Sequence, residues 1–126
     1  MSAKIIKSAN APAPIGPYSQ AVEYNGLIFT SGQIAIDPKT NQLIEGNVVE
    51  QAKQVFENLQ AVLEAGASAM DKVLKTTIYL KNMSDFGAVN ELYARYFNEA
   101  LPARSTVEVS RLPKDVLIEV DCIATI

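Results

Sequence analysis

A stripe of apolar side chains at helical spacing is the strongest constraint on how this chain folds. The stripe recurs every three or four residues and consists of Val48, Ala52, Val55, Phe56, Leu59, Val62 and Leu63. Asn47 and Glu50 have the spacing of an N-cap with a partial capping box, and Gly66 is typical of a helix end. A helix with one apolar face needs a flat surface to pack on, which predicts a sheet beneath it.

Short segments of high β propensity on either side of this helix supply that sheet. Residues 19–24 and 27–32 flank Asn25-Gly26, a pair favoured in the type I′ turn of a hairpin. Three prolines within residues 11–17 indicate an extended surface segment that leads into Tyr18. Further strands are expected at residues 5–6, 73–80, 105–109 and 116–126.

A second amphipathic helix is expected over residues 84–99. Its buried face is predicted to consist of Phe86, Val89, Tyr93, Tyr96 and Phe97. The element order is then β-β-β-α-β-α-β-β. This order predicts a single α+β domain over residues 1–126, in which two helices cover one face of one sheet.

The other face of the sheet is also expected to be buried. Simple alternation cannot place all the apolar strand residues on one side, namely Val22, Ile28, Leu74, Ile78, Val107, Ile118 and Val120. An apolar sheet face of this size normally indicates self-association. We therefore expect a homo-oligomer.

The composition excludes several classes of function. The chain has 126 residues, a net charge of −3, no histidine and one cysteine, Cys122. Usual zinc sites and Ser-His or Cys-His nucleophile pairs cannot be assembled, and dispersed acidic charge does not favour nucleic-acid binding.

No apolar run exceeds three residues, so neither a membrane span nor a signal-peptide core is expected, and the protein is predicted to be cytoplasmic.

The last two strands contain the residues best suited to chemistry. If they form an antiparallel hairpin, Thr106 lies across from Glu119 and Arg104 across from Asp121, all on one face. A partly desolvated carboxylate suits proton transfer, and a guanidinium suits the grip of a substrate carboxylate. On spacing alone, a structural ion pair between Arg104 and either acid is the more common arrangement.

Other candidate site residues have an ordinary structural alternative. Tyr18 projects over a cleft or packs as a lid on the core, and Ser31-Gly32 allows close approach of a ligand or forms a simple β-bulge. Asn90 is also a candidate site residue, but an asparagine on a helix is usually exposed to solvent. Cys122 is expected to be a small core hydrophobe, because no histidine is available to activate it.

The motifs that contain these residues resemble those of the RidA family, the reactive intermediate deaminases also called YjgF-type proteins. The matching blocks are IGPYSQ at residues 15–20, TSGQ at 30–33, VLKTT at 73–77, DF at 85–86, PARS at 102–105, VEV at 107–109, RLPKD at 111–115 and IE at 118–119. They occur in order from residue 15 almost to the C-terminus.

The resemblance implies a chorismate-mutase-like α+β subunit in a homotrimer, with three equivalent clefts between neighbouring subunits. The implied activity is hydrolysis of 2-imino acids and their enamine tautomers to 2-oxo acids and ammonia without a cofactor or metal. The implied substrates are 2-iminobutanoate and 2-iminopropanoate, which pyridoxal-phosphate-dependent dehydratases release.

The resemblance also implies roles for individual residues. Arg104 matches the arginine that holds the substrate carboxylate, and Glu119 matches the glutamate that positions or activates water. The matching pocket residues are Tyr18, Ser31, Gly32, Asn90 and Thr106, of which Thr106 occupies a position that is cysteine in some relatives. Backbone donors near Ser31 or Thr106 are expected to stabilise the tetrahedral intermediate.

Two other functions remain open from the sequence. A non-catalytic module that senses a carboxylate metabolite needs Arg104 but not Glu119. A ribonuclease or translation inhibitor, activities attached to some RidA relatives, is disfavoured by the net acidity and the absence of histidine.

Overall fold

Six strands form one mixed sheet, and two helices pack together on one of its faces. The computed structural model of the chain describes residues 3–126. The elements are β1 (Lys4–Ile6), β2 (Ala21–Tyr24), β3 (Leu27–Thr30), β4 (Ile36–Asp37), β5 (Gln42–Leu43), α1 (Val48–Ala65), β6 (Val73–Leu80), α2 (Phe86–Phe97), β7 (Ala103–Glu108) and β8 (Ile118–Thr125). The predicted α+β class, with two helices over one sheet, is confirmed.

The strand order in the sheet is β1-β2-β3-β8-β6-β7. All neighbouring strands are antiparallel except β6 and β7, which are parallel and joined by α2. Strands β4 and β5 form a separate two-stranded hairpin that was not among the predicted strands.

The predicted hairpin and the predicted first helix both form. Asn25 and Gly26 have φ angles of 52° and 80° between β2 and β3, as a type I′ turn requires. The side chain of Asn47 accepts a hydrogen bond from the Glu50 N–H, and Glu50 accepts one from the Asn47 N–H, which completes the capping box. Every member of the predicted apolar stripe of α1 is buried.

The predicted hairpin between β7 and β8 is wrong. Strand β6 lies between them, parallel to β7 and antiparallel to β8. The physical reason is the crossover through α2, which returns the chain beside β6 and leaves β7 at the edge of the sheet. The burial of the strands agrees with this order, because β7 is mostly exposed whereas alternate residues of β8 are completely buried.

The face of the sheet opposite the helices is open in the protomer. Its apolar side chains are exposed or half-buried and include Val22, Phe29, Leu74, Val107 and Ile123. The side chains of Ile28, Ile78, Ile118 and Val120 face the helices and are buried. Self-association through the open face, and the homotrimer in particular, stays a prediction.

Substitution of Gly66 tests how closely α1 is docked on the sheet. A Cβ at this position would lie 2.7 Å from the Cδ1 atom of Ile6 and 2.8 Å from that of Ile28. We expect Gly66→Ala to lower the free energy of unfolding by about 1–3 kcal/mol because the overpacked core must shift. Denaturant unfolding measures this change.

Gly87→Ala is the matched control, since its Cβ would meet no atom within 4 Å and it lies in a helix. It should raise the free energy of unfolding by about 0.5–1 kcal/mol. Equal effects of the two substitutions would contradict the proposed contact between Gly66 and the two isoleucines.

Candidate active site

A cleft of about 480 Å³ lies beside the C-terminal end of β3 and the beginning of β8. Its lining residues come from the proline-rich segment, the end of β3, the segment before β4 and the turn before β8. They are Pro12, Ala13, Ile15, Tyr18, Gln20, Ser31, Gly32, Gln33, Ile34, Ile36, Pro113, Lys114 and Glu119. The cleft therefore brings together four predicted site residues, Tyr18, Ser31, Gly32 and Glu119.

The alternation of β8 directs Glu119 into this cleft. Its neighbours Ile118 and Val120 are completely buried under the helices, so the Glu119 side chain lies on the opposite face. Gln33 and Val120 exchange backbone hydrogen bonds of 2.8 and 3.1 Å, which fixes the segment after β3 beside Glu119.

Gly32 allows the Glu119 carboxylate to lie directly against this segment. A Cβ on Gly32 would overlap Oε2 of Glu119 and approach its Cδ to 2.8 Å. The neighbouring Ser31 hydroxyl donates a 2.6 Å hydrogen bond to the Ser19 carbonyl. A side chain at position 32 would therefore displace the Glu119 carboxylate, and this contact is a different reason for the glycine from the β-bulge considered for it.

The surroundings of Glu119 favour its neutral form. Burial raises the pKa of Glu119 above its ordinary value, and the nearby negative charge of Asp121 raises it further. Burial also raises the pKa of Asp121, although the Tyr79 hydroxyl, 3.2 Å from its Oδ2, and Lys75 oppose this effect. A carboxylate with a raised pKa in a cleft is a candidate proton acceptor.

Arg104 lies in a second cluster, formed by β7 and α2. Its Nη1 donates a 2.7 Å hydrogen bond to Oδ1 of Asn90. Its guanidinium carbon lies 4.7 Å from the ring centre of Tyr93 and 5.2 Å from that of Phe86. These contacts hold an exposed guanidinium on two aromatic rings. Arg104 forms an ion pair with neither Asp121 nor Glu119, the two acids considered as its partners.

Thr106 is two residues beyond Arg104 on the same face of β7. Its Oγ1 is buried and has no hydrogen-bond partner among residues 3–126. The predicted register is wrong for both residues, because Thr106 lies beside Ile78 and Arg104 beside Thr76, whereas Glu119 lies across from Tyr79. The site residues thus form two groups in the protomer, with Glu119 on the open side of the sheet and Arg104 on the helix side.

Known proteins match this chain over nearly its whole length. The sequence model of the family described as Endoribonuclease L-PSP matches residues 8–126. A RutC family protein of Synechocystis is 58% identical over 100% of this chain and 98% of its own. The chain belongs to the RidA (YjgF, RutC) family.

Two further RidA-family proteins carry names that bear on function. The mouse protein named 2-iminobutanoate/2-iminopropanoate deaminase is 47% identical over 96% of this chain and 90% of its own. The crystal structure of E. coli TdcF with bound serine has a TM-score of 0.92 and 39% identity, and 98% of each chain is covered.

The absence of histidine leaves few metal ligands in this RidA-family protein. Residues 3–126 contain no group of three or more His, Cys, Asp or Glu side chains placed to hold a metal ion. Cys122 is buried in the core, and burial raises the pKa of its thiol to about 12, so it is not an activated nucleophile. No helix within the described part of the chain is long and apolar enough to cross a membrane.

Sequence reasoning missed several residues around both groups. Gln20, Ile34 and Ile36 line the cleft, and Tyr93 supports Arg104. Tyr93 was expected only as a core residue of the second helix. Its closeness to Arg104 depends on the parallel pairing of β6 and β7, which no local pattern indicates.

The raised pKa of Glu119 predicts a change of stability with pH. At neutral pH the folded protein holds a charged carboxylate in a site that favours the neutral form, so Glu119→Gln should raise the melting temperature. As the pH falls through the folded and then the unfolded pKa of Glu119, the acid becomes neutral in both states and this gain should disappear. Calorimetric melting of both proteins between about pH 4 and pH 8 measures it.

Glu45→Gln, at an exposed position, is the control for loss of one negative charge. A wild-type protein that is more stable than Glu119→Gln at neutral pH would show that the Glu119 charge is favourably placed, contrary to this account.

Proposed function

We propose that this chain hydrolyses 2-imino acids such as 2-iminobutanoate and 2-iminopropanoate to 2-oxo acids and ammonia. We further propose that each active site forms between protomers of a homotrimer, where the cleft of one protomer meets Arg104 of its neighbour. The observation that carries the proposal is the half-buried Glu119 carboxylate, packed on the Gly32 backbone inside a cleft.

The position of Arg104 supports a site between protomers. Within one chain, β6 separates β7 from β8, and Arg104 and Glu119 lie on opposite sides of the sheet. Arg104 lies on an edge strand and is exposed, so its guanidinium is available to a neighbouring chain. The open apolar face supplies a surface for such an assembly.

The first chemical step requires a fixed substrate and a placed water. The Arg104 guanidinium binds the substrate carboxylate through paired hydrogen bonds, and Asn90 holds that guanidinium in position. Glu119 accepts a proton from water while the water oxygen forms a bond to the electrophilic carbon of the protonated imine. The product of this step is a tetrahedral carbinolamine that bears a hydroxyl and an amino group.

The second step returns the proton. Protonated Glu119 donates it to the amino nitrogen, the carbon–nitrogen bond breaks as the hydroxyl becomes a carbonyl, and the hydroxyl proton passes to the departing ammonia. The products are the 2-oxo acid and ammonium, so one water is consumed and Glu119 ends as a carboxylate. Backbone donors near Ser31 or Thr106 stabilise the charge that develops in the transition states on either side of the intermediate.

Two relatives support this chemistry. The mouse relative is named for deamination of these two imino acids. The E. coli relative has bound serine, an amino acid that carries its carboxylate and its nitrogen on the same carbon, as a 2-imino acid does. An endoribonuclease, the activity in the family description, is disfavoured by the net charge of −3 and the lack of histidine.

A dehydratase acting on threonine or serine provides the test, because it releases the imino acid in the assay. Addition of this protein should make the 2-oxo acid appear faster than spontaneous hydrolysis allows. Arg104→Ala and Glu119→Gln should each lower this acceleration by about 100-fold or more, through loss of substrate binding and of proton transfer respectively. The oligomer should remain intact in Arg104→Ala.

Arg95→Ala is the control, since Arg95 is an exposed arginine of α2 that neither lines the cleft nor contacts Arg104. Full activity of Arg104→Ala would contradict the assignment of the carboxylate-binding residue. If Glu119→Gln retained turnover, the proposed base would be wrong. No acceleration by the wild-type protein, together with binding of the 2-oxo acid, would favour the non-catalytic binding module.

A further inference from the structure

We propose that Gln20 is a positioning residue that fixes one apolar wall of the cleft, and that this wall takes the aliphatic side chain of the substrate. The identity of the substrate rests on the proposed function. The wall consists of Pro12, Ala13 and Ile15, and we call residues 8–18 the arm.

The carboxamide of Gln20 is buried and makes four hydrogen bonds to the arm. Its Nε2 donates to the carbonyls of Pro12, Ser8 and Ala11 at 2.8, 3.1 and 3.4 Å. Its Oε1 accepts from the Ser8 N–H at 2.7 Å. With 4% of its surface exposed, Gln20 satisfies the buried carbonyls of Ala11 and Pro12, and its two bonds to Ser8 are partly buried.

The arm makes few other hydrogen bonds. The Ile15 N–H donates to the Tyr18 hydroxyl at 3.2 Å, and the Tyr18 N–H donates to the Gly16 carbonyl at 2.9 Å, but both bonds lie within the arm. Among residues 3–126, hydrogen bonds between the arm and the rest of the chain are made by the Gln20 side chain. The wall is therefore held by this one carboxamide together with the packing of Ala11, which is 4% exposed, in the hydrophobic core.

A second part of the cleft lining is held in the same way by another buried carboxamide. Nδ2 of Asn58 donates to the carbonyls of Ile34 and Ile36 at 3.2 and 3.0 Å. Ile34 and Ile36 also line the cleft. Two apolar parts of the lining are thus held by hydrogen bonds to the buried carboxamides of Gln20 and Asn58.

The distribution of polar groups indicates what these walls bind. Glu119, Ser31 and Gly32 lie together and face the reacting end of the substrate in the proposed function. The remaining surface is largely apolar, and its polar members are Gln20, Gln33 and Lys114. The substrate side chain is the apolar part left to occupy it, and each methylene buried there should strengthen binding by up to about fourfold.

The test uses the products, so that binding is measured without turnover. Calorimetry gives the affinities of the wild-type protein, Gln20→Met and Gln20→Asn for straight-chain 2-oxo acids of three to six carbons. Wild-type affinity should rise with each methylene, and this rise should be lost in both variants, whereas affinity for 2-oxopropanoate should change by less than about twofold. Gln42→Met, at an exposed glutamine, is the matched control and should keep the rise.

Hydrogen exchange separates a positioning role from general loss of stability. Amides of the arm, including Ser8 and Ile15, should lose protection in the Gln20 variants, whereas the amides of β8 should keep theirs. Gln20→Asn keeps the carboxamide, but its side chain is one methylene too short to make the hydrogen bonds to the arm. It therefore tests the loss of these bonds even if Gln20→Met does not fold.

Three results would overturn the inference. An equal gain in affinity per methylene in the wild type and the variants would show that the wall does not depend on Gln20. An equal loss of affinity for every 2-oxo acid would show a merely structural role. A wild-type protein that binds no 2-oxo acid would overturn the proposed function along with this inference, whereas the first two results leave the proposed function standing.

Discussion

Strand β8 is the constraint on which the rest of the structure depends. It lies between β3 and β6, and its even-numbered residues from Ile118 to Ala124 fill the core beneath the helices. The two-residue alternation of a strand then leaves its odd-numbered residues on the open side, where Glu119 enters the cleft. The same buried positions that stabilise the fold therefore determine where the proposed base lies, and a shift of one residue in register would bury the carboxylate in the core.

The sequence predicted the elements well and their pairing poorly. The stripe of α1, its capping box and the turn at Asn25-Gly26 are local signals, and each is found where the pattern placed it. The neighbour of β7 is a non-local choice, made by the crossover through α2, so the predicted β7–β8 hairpin failed. The hairpin of β4 and β5 was missed because two-residue strands carry too little pattern to detect.

The candidate site likewise has features that the sequence predicted and features that it did not. Family motifs identified Tyr18, Ser31, Gly32 and Glu119, and these lie together in one cleft. The contact of Gly32 with Glu119 depends on tertiary packing between β8 and the segment after β3, which one sequence does not reveal. The aromatic support of Arg104 is likewise a product of the parallel β6–β7 pair. A desolvated carboxylate at Glu119 is costly at neutral pH, and such costs are common where a residue is kept for chemistry.

The central claim is that Glu119 of one protomer and Arg104 of another complete one site, and subunit mixing tests it most directly. Arg104→Ala and Glu119→Gln chains, each inactive alone, are refolded together and assayed for 2-iminobutanoate hydrolysis. Random assembly into the proposed trimers restores one intact cleft in every mixed trimer, so activity should recover to about a quarter of the wild-type value. A mixture that forms mixed trimers yet stays as inactive as its two components would contradict the account.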